Sequence, residues 1–195
     1  MELEAVVLAA GQSQRFAGIK QLATYQGQTL LQHCVSQYFC DKKLLNGIRQ
    51  LTVVLGANEA LIRQLTLPDV VLLTAPNWQK GMGASLADFI KQLPESVSHV
   101  LVGLADQIAL TTEDLRALIQ GAKQHPDAII CAQYADVQGV PAIFPREFFR
   151  HLAELEQDKG ARALIQQYAN KVHAINLPNA AIDIDTPEQL RIMQG

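Results

Sequence analysis

With 195 residues, 49% of them hydrophobic and 18% charged, the chain has the composition of a globular domain able to bury a continuous core. A net charge of −3 speaks against a nucleic-acid or membrane-surface binder, which carries a basic face. Three cysteines (Cys34, Cys40, Cys131) form no C-x-x-C pair, so they are expected to be small buried apolar groups in a reducing compartment, not a disulfide or zinc framework. The opening MELEAVVLAAG carries acids where a leader would carry basic residues, and no apolar run reaches membrane-spanning length; the expectation is a cytoplasmic protein.

Short runs rich in Val, Ile and Leu recur along the chain: AVVLAA, QLTVVLG, DVVLLT, SHVLVGLAD and DAIICAQY. Bounded by turn residues, they read as strands buried on both faces. Helical stripes lie between them. Leu30, Leu31, Cys34, Val35, Tyr38 and Phe39 predict a helix over Thr29–Phe39, with His33 outside its apolar stripe. ASLADFIKQL and DLRALIQGAK repeat the pattern at Leu86/Phe89/Ile90/Leu93 and Leu115/Leu118/Ile119/Ala122.

Strand and helix in alternation predict an α/β protein with a mostly parallel sheet covered on both faces. Past residue 133, QGVPAIFP reads as an edge strand or hairpin, because Pro141 cannot donate to a central ladder. Two helices follow (REFFRHLAEL, GARALIQQYA), then short strands near Val172–Ile175 and Ala181–Ile184.

In open parallel sheets, ligands sit outside the carboxyl ends of the strands. The loops leaving those ends begin at Gly11, Gly56, Ala75 and Asp106. The first runs from Gly11 to Gln21 and is neither a Walker loop nor a dinucleotide fingerprint. It offers a glycine backbone, exposed amides, and the two cations Arg15 and Lys20, a set suited to a polyphosphate. The third, APNWQKGMGASLADF, brings Trp78, Gly81 and Gly83 to a helix start whose cap is Ser85 or a neighbour, and offers free N–H groups there.

The fourth loop begins with Asp106 at the end of a buried strand, where a charge is costly unless paired or bound to a metal. Thr111 with Asp114 already supplies the next helix's cap, so Asp106 is a candidate Mg²⁺ ligand. Near the C-terminal end, AIDIDTPEQL puts Asp183 and Asp185 on one face of the expected strand, where like charges repel unless a cation lies between them. Thr186, Pro187 and Gln189 make a complete helix start. The five histidines sit in no ligand spacing, and no G-x-S-x-G elbow is present.

Taken together, LAAGQSQRFAGIKQL, YQGQTLLQH, NWQKGMGASL, LADQ, GVPAIFPREFF, DKGARALI and DIDTPEQL resemble, in order and over essentially the whole chain, the nucleotidyltransferase family that includes molybdenum cofactor cytidylyl- and guanylyltransferases. The resemblance implies a Rossmann-like, three-layer α/β/α nucleotidyltransferase fold of the glycosyltransferase-A-like kind. It implies one domain over 1–195, with 1–125 as the nucleotide-binding half and 126–195 as the acceptor-side and second-metal-ligand half.

The resemblance further implies CTP and molybdopterin cofactor as substrates and Mg²⁺ as cofactor. Arg15, Lys20 and Asp106 would be catalytic. Leu8, Ala9, Ala10, Gly11, Gly81, Gly83 and Ser85 would join Arg15 and Lys20 in binding nucleotide, and Asp106, Asp183 and Asp185 would be the metal carboxylates. Ala10 stands where guanylyl enzymes carry glycine, which favours CTP over GTP. Ala84, Ile108 and Gln157 depart from the family's commoner serine, proline and glycine.

Partners implied are small molecules and a molybdoenzyme receiving the cofactor, with no nucleic acid or membrane, in a monomer or weak oligomer. A sugar-phosphate acceptor, GTP, or a cofactor-binding chaperone without catalysis remain alternatives.

Overall fold

A computed structural model describes residues 1–16, 18–157 and 160–194. Seven strands form its main sheet: β1 (Leu3–Leu8), β2 (Ile48–Leu55), β3 (Val71–Thr74), β4 (His99–Leu104), β5 (Ile129–Tyr134), β6 (Val137–Pro145) and β7 (Val172–Asn176). Their order is β7-β5-β6-β4-β1-β2-β3, with every pairing parallel except the two made by β6. Among the described residues, seven α-helices accompany them: α1 (Leu30–Ser36), α2 (Glu59–Ile62), α3 (Met82–Ile90), α4 (Thr112–Gln124), α5 (Phe149–Ala153), α6 (Ala161–Gln167) and α7 (Pro187–Gln194).

The three layers follow from the two-residue period of β1. Leu3, Ala5 and Val7 enter a core shared with Leu31 and Val35 of α1 and Leu115, Leu118 and Ile119 of α4. Val6 and Leu8 face the other way, onto Leu86, Phe89 and Ile90 of α3 with Leu152 of α5 and Leu164 and Ile165 of α6. Both faces of the strand are therefore dry, which is why it reads as an apolar run from Ala5 onward. A third, smaller core of Phe16, Tyr25, Leu30, Cys34, Ile108, Ile184 and Leu190 lies under the loops leaving β1 and β4.

Three helix starts follow the capping rules. Thr29 caps α1 with Gln32 closing the box, and Thr111 caps α4 with Asp114 doing the same. At the head of α7, Gln189 Oε1 accepts from Thr186 N while Thr186 Oγ1 accepts from Gln189 N.

Several expectations need correction. QGVPAIFP forms a hairpin with β5 but is no edge: β6 is interior, between β4 and β5. The register shifts between Gly139 and Ala142, so Pro141 sits in a bulge where its missing donor costs no ladder bond. Helix α1 stops at Ser36, because the chain turns into the hairpin Phe39–Cys40/Lys43–Leu44. Asp41 and Lys42 both take positive φ there, as a tight hairpin turn demands.

The strand expected at Ala181–Ile184 is absent. Pro178–Ala181 is a 3₁₀ turn, and residues 182–186 join no ladder. Asp183 and Asp185 thus share no strand face. Cys40 is exposed, not buried, because it lies on that small hairpin; Cys34 and Cys131 are buried.

Candidate nucleotide-binding site

The carboxyl ends of β1 and β4 open into one cavity of about 600 Å³, within the usual range for small-molecule sites. Its wall takes in Leu8 to Arg15, Lys20, Gln21, Trp78 to Met82, Ser85, Leu104 to Asp106, and Asp185. Of the residues expected at a site, Leu8, Ala9, Ala10, Gly11, Arg15, Lys20, Gly81, Ser85, Asp106 and Asp185 therefore meet here. Gly83 and Asp183 do not line it. Gly83 is buried in the first turn of α3, and its N–H donates to Gln157 O at 2.9 Å.

The first loop leaves β1 as a strand that has run out of partners. The backbone N–H groups from Gly11 to Arg15 find no acceptor among the described residues. Phe16 turns back into the small core beneath, its N–H bonded to Ser13 O at 2.9 Å, which anchors the far side of the loop. Consecutive free amides of this kind form a concavity that attracts anions. Ala17, inside the signature stretch, lies outside the described residues.

Charge concentrates at one end of the cavity. Lys20 Nζ lies 2.8 Å from Asp106 Oδ2 and 3.3 Å from Asp185 Oδ1, and Arg15 reaches Asp185 Oδ2 at 2.9 Å. Lys20, Asp106 and Asp185 are mostly buried, whereas the Arg15 side chain is 74% exposed. Asp106 Oδ1 is buried and has no hydrogen-bond partner among the described residues. The next residue, Gln107, donates to Val140 O and Ala180 O, and this ties the loop to the β6 bulge and the C-terminal segment.

Asp183 is exposed, yet partial desolvation, followed by the Asp106 and Asp185 carboxylates, raises its pKa above the ordinary carboxylate value.

An orphaned carboxylate oxygen is the feature a divalent cation would complete, so the donor set fits such an ion. Among the described residues no group of three His, Cys, Asp or Glu side chains forms a metal cage. A cation here would take one or two carboxylates and draw its remaining oxygens from a phosphate ligand or water, as Mg²⁺ commonly does.

The opposite wall is the entry to α3. The helix begins at Met82 after Gly81, whose φ of 111° gives the turn its left-handed backbone. Ser85 is not the cap. It sits inside the helix and donates to Gly81 O at 3.2 Å. Asp88 accepts from Asn77 N (2.8 Å) and Asn77 Nδ2 (2.9 Å), so a buried carboxylate pins the loop that carries Trp78. Trp78 packs against Gly56. Asp158 and Lys159 of the DKGARALI motif lie outside the described residues, and Gln157 before them holds a positive φ of 54°.

Ile108 fills the small core at 2% exposure, and its carbonyl meets His33 Nε2 at 2.9 Å, so the position is a packing site. Sequence reasoning missed Gln21, Ser13 and Asp88. Their signal was faint: a polar residue beside the loop lysine, and an acid among the apolar residues of α3.

Against known proteins, the family described as MobA-like NTP transferase domain matches residues 5–172. A curated relative, 2-C-methyl-D-erythritol 4-phosphate cytidylyltransferase of Psychrobacter arcticus, is 29% identical over 140 residues, covering 69% of this chain. The chain spans about half the length of the curated relatives it matches, 48% in that case.

Among solved structures, Rv0371c of Mycobacterium tuberculosis H37Rv superposes with a TM-score of 0.83 at 27% identity, covering 100% of this chain and 97% of its own. The Rv0371c complex with manganese superposes at 0.78 with 25% identity, covering 100% and 98%. The family match spans most of the 195 residues, and the protein belongs to the MobA-like NTP transferase domain family.

Proposed function

We propose that the chain is a cytidylyltransferase that moves the CMP unit of CTP onto the terminal phosphate of a molybdopterin-type cofactor, with Mg²⁺, and releases pyrophosphate. One observation carries the reading. A single cavity holds the amides of Gly11 to Arg15, the cations Arg15 and Lys20, and the carboxylate of Asp106 with a buried oxygen; among the described residues these amides and this oxygen have no partner. Amides and cations bind a triphosphate. A carboxylate turned toward the same anion makes sense where a divalent cation stands between them.

In this account, Leu8, Ala9 and Ala10 with Gly81 and Ser85 frame base and ribose, and the first loop takes the β- and γ-phosphates. An oxygen of the acceptor phosphate forms a bond to the α-phosphorus. The bond from that phosphorus to the bridging oxygen breaks, and its electron pair leaves on pyrophosphate. The acceptor phosphate is already largely deprotonated near neutrality, with a second pKa of about 6, so the site requires no general base. Asp106, with Asp185 or Asp183, would hold Mg²⁺, which when bound neutralises phosphate oxygens and the charge gathering on the leaving group. Positioning and charge stabilisation do the rest.

CTP is favoured by Ala10 at the base wall and by the curated relatives' names as cytidylyltransferases. Those names also support a second reading, in which the acceptor is a small polyol or sugar phosphate. Mass spectrometry of products separates the two: the acceptor that gains one CMP unit is the substrate. Incubation of the purified chain with CTP, Mg²⁺ and either molybdopterin cofactor or 2-C-methyl-D-erythritol 4-phosphate is expected to label the first. Labelling of the second alone would replace it.

A further inference from the structure

Gln21 is 4% exposed, and its side-chain amide spends both donors and its acceptor on the loop that lines the cavity. Nε2 donates to Ala9 O at 2.9 Å and to Gly11 O at 3.1 Å, while Oε1 accepts from Ser13 Oγ at 3.1 Å. The same Ser13 oxygen accepts from the backbone N–H of Lys20 at 3.2 Å. One buried amide thus fastens the start of the loop to its end and sets the point from which the Lys20 side chain departs. Ser13 holds a positive φ of 56°, a conformation that persists in a non-glycine residue only where the surroundings fix it.

The arrangement has an electrostatic consequence. Carbonyl oxygens repel phosphate, and Ala9 and Gly11, which line the cavity, carry one each. Committed to Gln21, they are not free to face an incoming anion. Among the described residues, the amides from Gly11 to Arg15 remain without partners. A side chain that only filled space would need neither donor. Gln21 supplies both, and it leaves the loop with its N–H groups available and these carbonyls engaged.

We propose that Gln21 is a positioning residue for the polyphosphate of the nucleotide: it holds the first loop in its anion-binding form through its two N–H donors, with Ser13 as the relay to Lys20. This rests on the reading of the cavity as a nucleoside triphosphate site. It assigns the shape of the β- and γ-phosphate seat to a residue whose polar atoms are spent on the loop itself.

The test is calorimetric binding of CTP and CMP, with Mg²⁺, to the wild-type chain and to Gln21→Glu, Gln21→Met and Ser13→Ala. Gln21→Glu keeps the size but loses both donors, and Gln21→Met keeps much of the volume with no polar group. Ser13→Ala removes only the relay on the cavity side and serves if the buried substitutions fail to fold. Expected are a loss of roughly tenfold or more in CTP affinity for the Gln21 variants and a smaller loss for Ser13→Ala, with CMP affinity within about twofold of wild type throughout.

Folded variants that bind CTP as wild type does would overturn the proposal. So would equal losses for CTP and CMP, which would reduce Gln21 to general support. Wild-type protein that binds neither CTP nor GTP would overturn the triphosphate reading itself, a result distinct from both.

Discussion

Lys20 Nζ lies 2.8 Å from Asp106 Oδ2 although 86 residues separate the two in sequence. The same ammonium also reaches Asp185, so one lysine from the β1 loop bridges a carboxylate at the end of β4 and another just before α7. With Lys20 in place, Asp106 Oδ2 is engaged and Oδ1 is closed off from solvent. Lys20 therefore competes with a divalent cation for this carboxylate, and a bound triphosphate gives the ammonium a stronger attraction elsewhere.

Lys20→Met is therefore expected to bind Mn²⁺ more tightly than wild type when nucleotide is absent. Two unit charges about 4 Å apart interact by about 4 kcal/mol at an effective dielectric of 20, and screening at a partly open cavity leaves a gain of roughly tenfold. Turnover should fall by about 10²–10³, as on loss of one donor to transition-state charge. Electron paramagnetic resonance of free Mn²⁺ reads the first effect; unchanged Mn²⁺ affinity would mean that the lysine does not guard the carboxylate.

Arg15 predicts a different pattern. Its guanidinium is mostly exposed and, among the described residues, pairs with Asp185 alone, so Arg15→Ala should change stability by less than about 0.5 kcal/mol. A charged hydrogen bond to phosphate contributes about 1.5–3 kcal/mol, so the KM for nucleotide should rise roughly tenfold or more. Thermal melts and steady-state kinetics on one sample test the pair of outcomes. A large drop in melting temperature would show a structural role for the arginine.

How much of this was readable beforehand depended on the range of the interaction. The buried strands, the helix caps at Thr111 and Thr186, and the position of the loops rest on local periodicity and capping chemistry, and these the sequence displays. The interior place of β6 was hidden, because a proline looks like an edge until a bulge removes it from the ladder. Asp183 and Asp185 looked like strand neighbours because IDID alternates, yet no partner strand lies there. Gln21 and Asp88 were invisible for another reason: their roles are hydrogen bonds to backbone atoms that only the folded loops bring near.

Gly56 offers a steric test of the cavity's far wall. A Cβ there would fall 2.6 Å from Ala10 O and 2.7 Å from Trp78 Cγ. The Ala10 carbonyl accepts from Ala57 N at 3.2 Å, so the added methyl must shift this backbone as well as Trp78. Gly56→Ala should cost about 1–3 kcal/mol of stability and weaken nucleotide binding as the indole shifts. Denaturant melts with binding titrations measure both, and unaltered binding would remove Trp78 from the account of the site.

Glu4 gives a pH signature away from the cavity. Burial in β1 raises its carboxyl pKa above the ordinary value, and Arg49 offsets this only in part. A folded-state pKa raised above the unfolded one gives stability that is present at low pH and lost as pH rises through the folded value. Glu4→Gln, which cannot ionise, should therefore gain stability relative to wild type between about pH 4 and pH 7. Melting temperatures of both proteins across that range decide it; a constant difference would contradict the assignment.

The central claim, nucleotidyl transfer from a triphosphate held on the first loop, is tested most directly by pyrophosphate release from the purified chain with Mg²⁺, molybdopterin cofactor and either CTP or GTP. Release with CTP is expected well above that with GTP, with near-complete loss in Asp106→Ala and the fold intact. Absence of release with either nucleotide from folded protein, or release undiminished in Asp106→Ala, would contradict it.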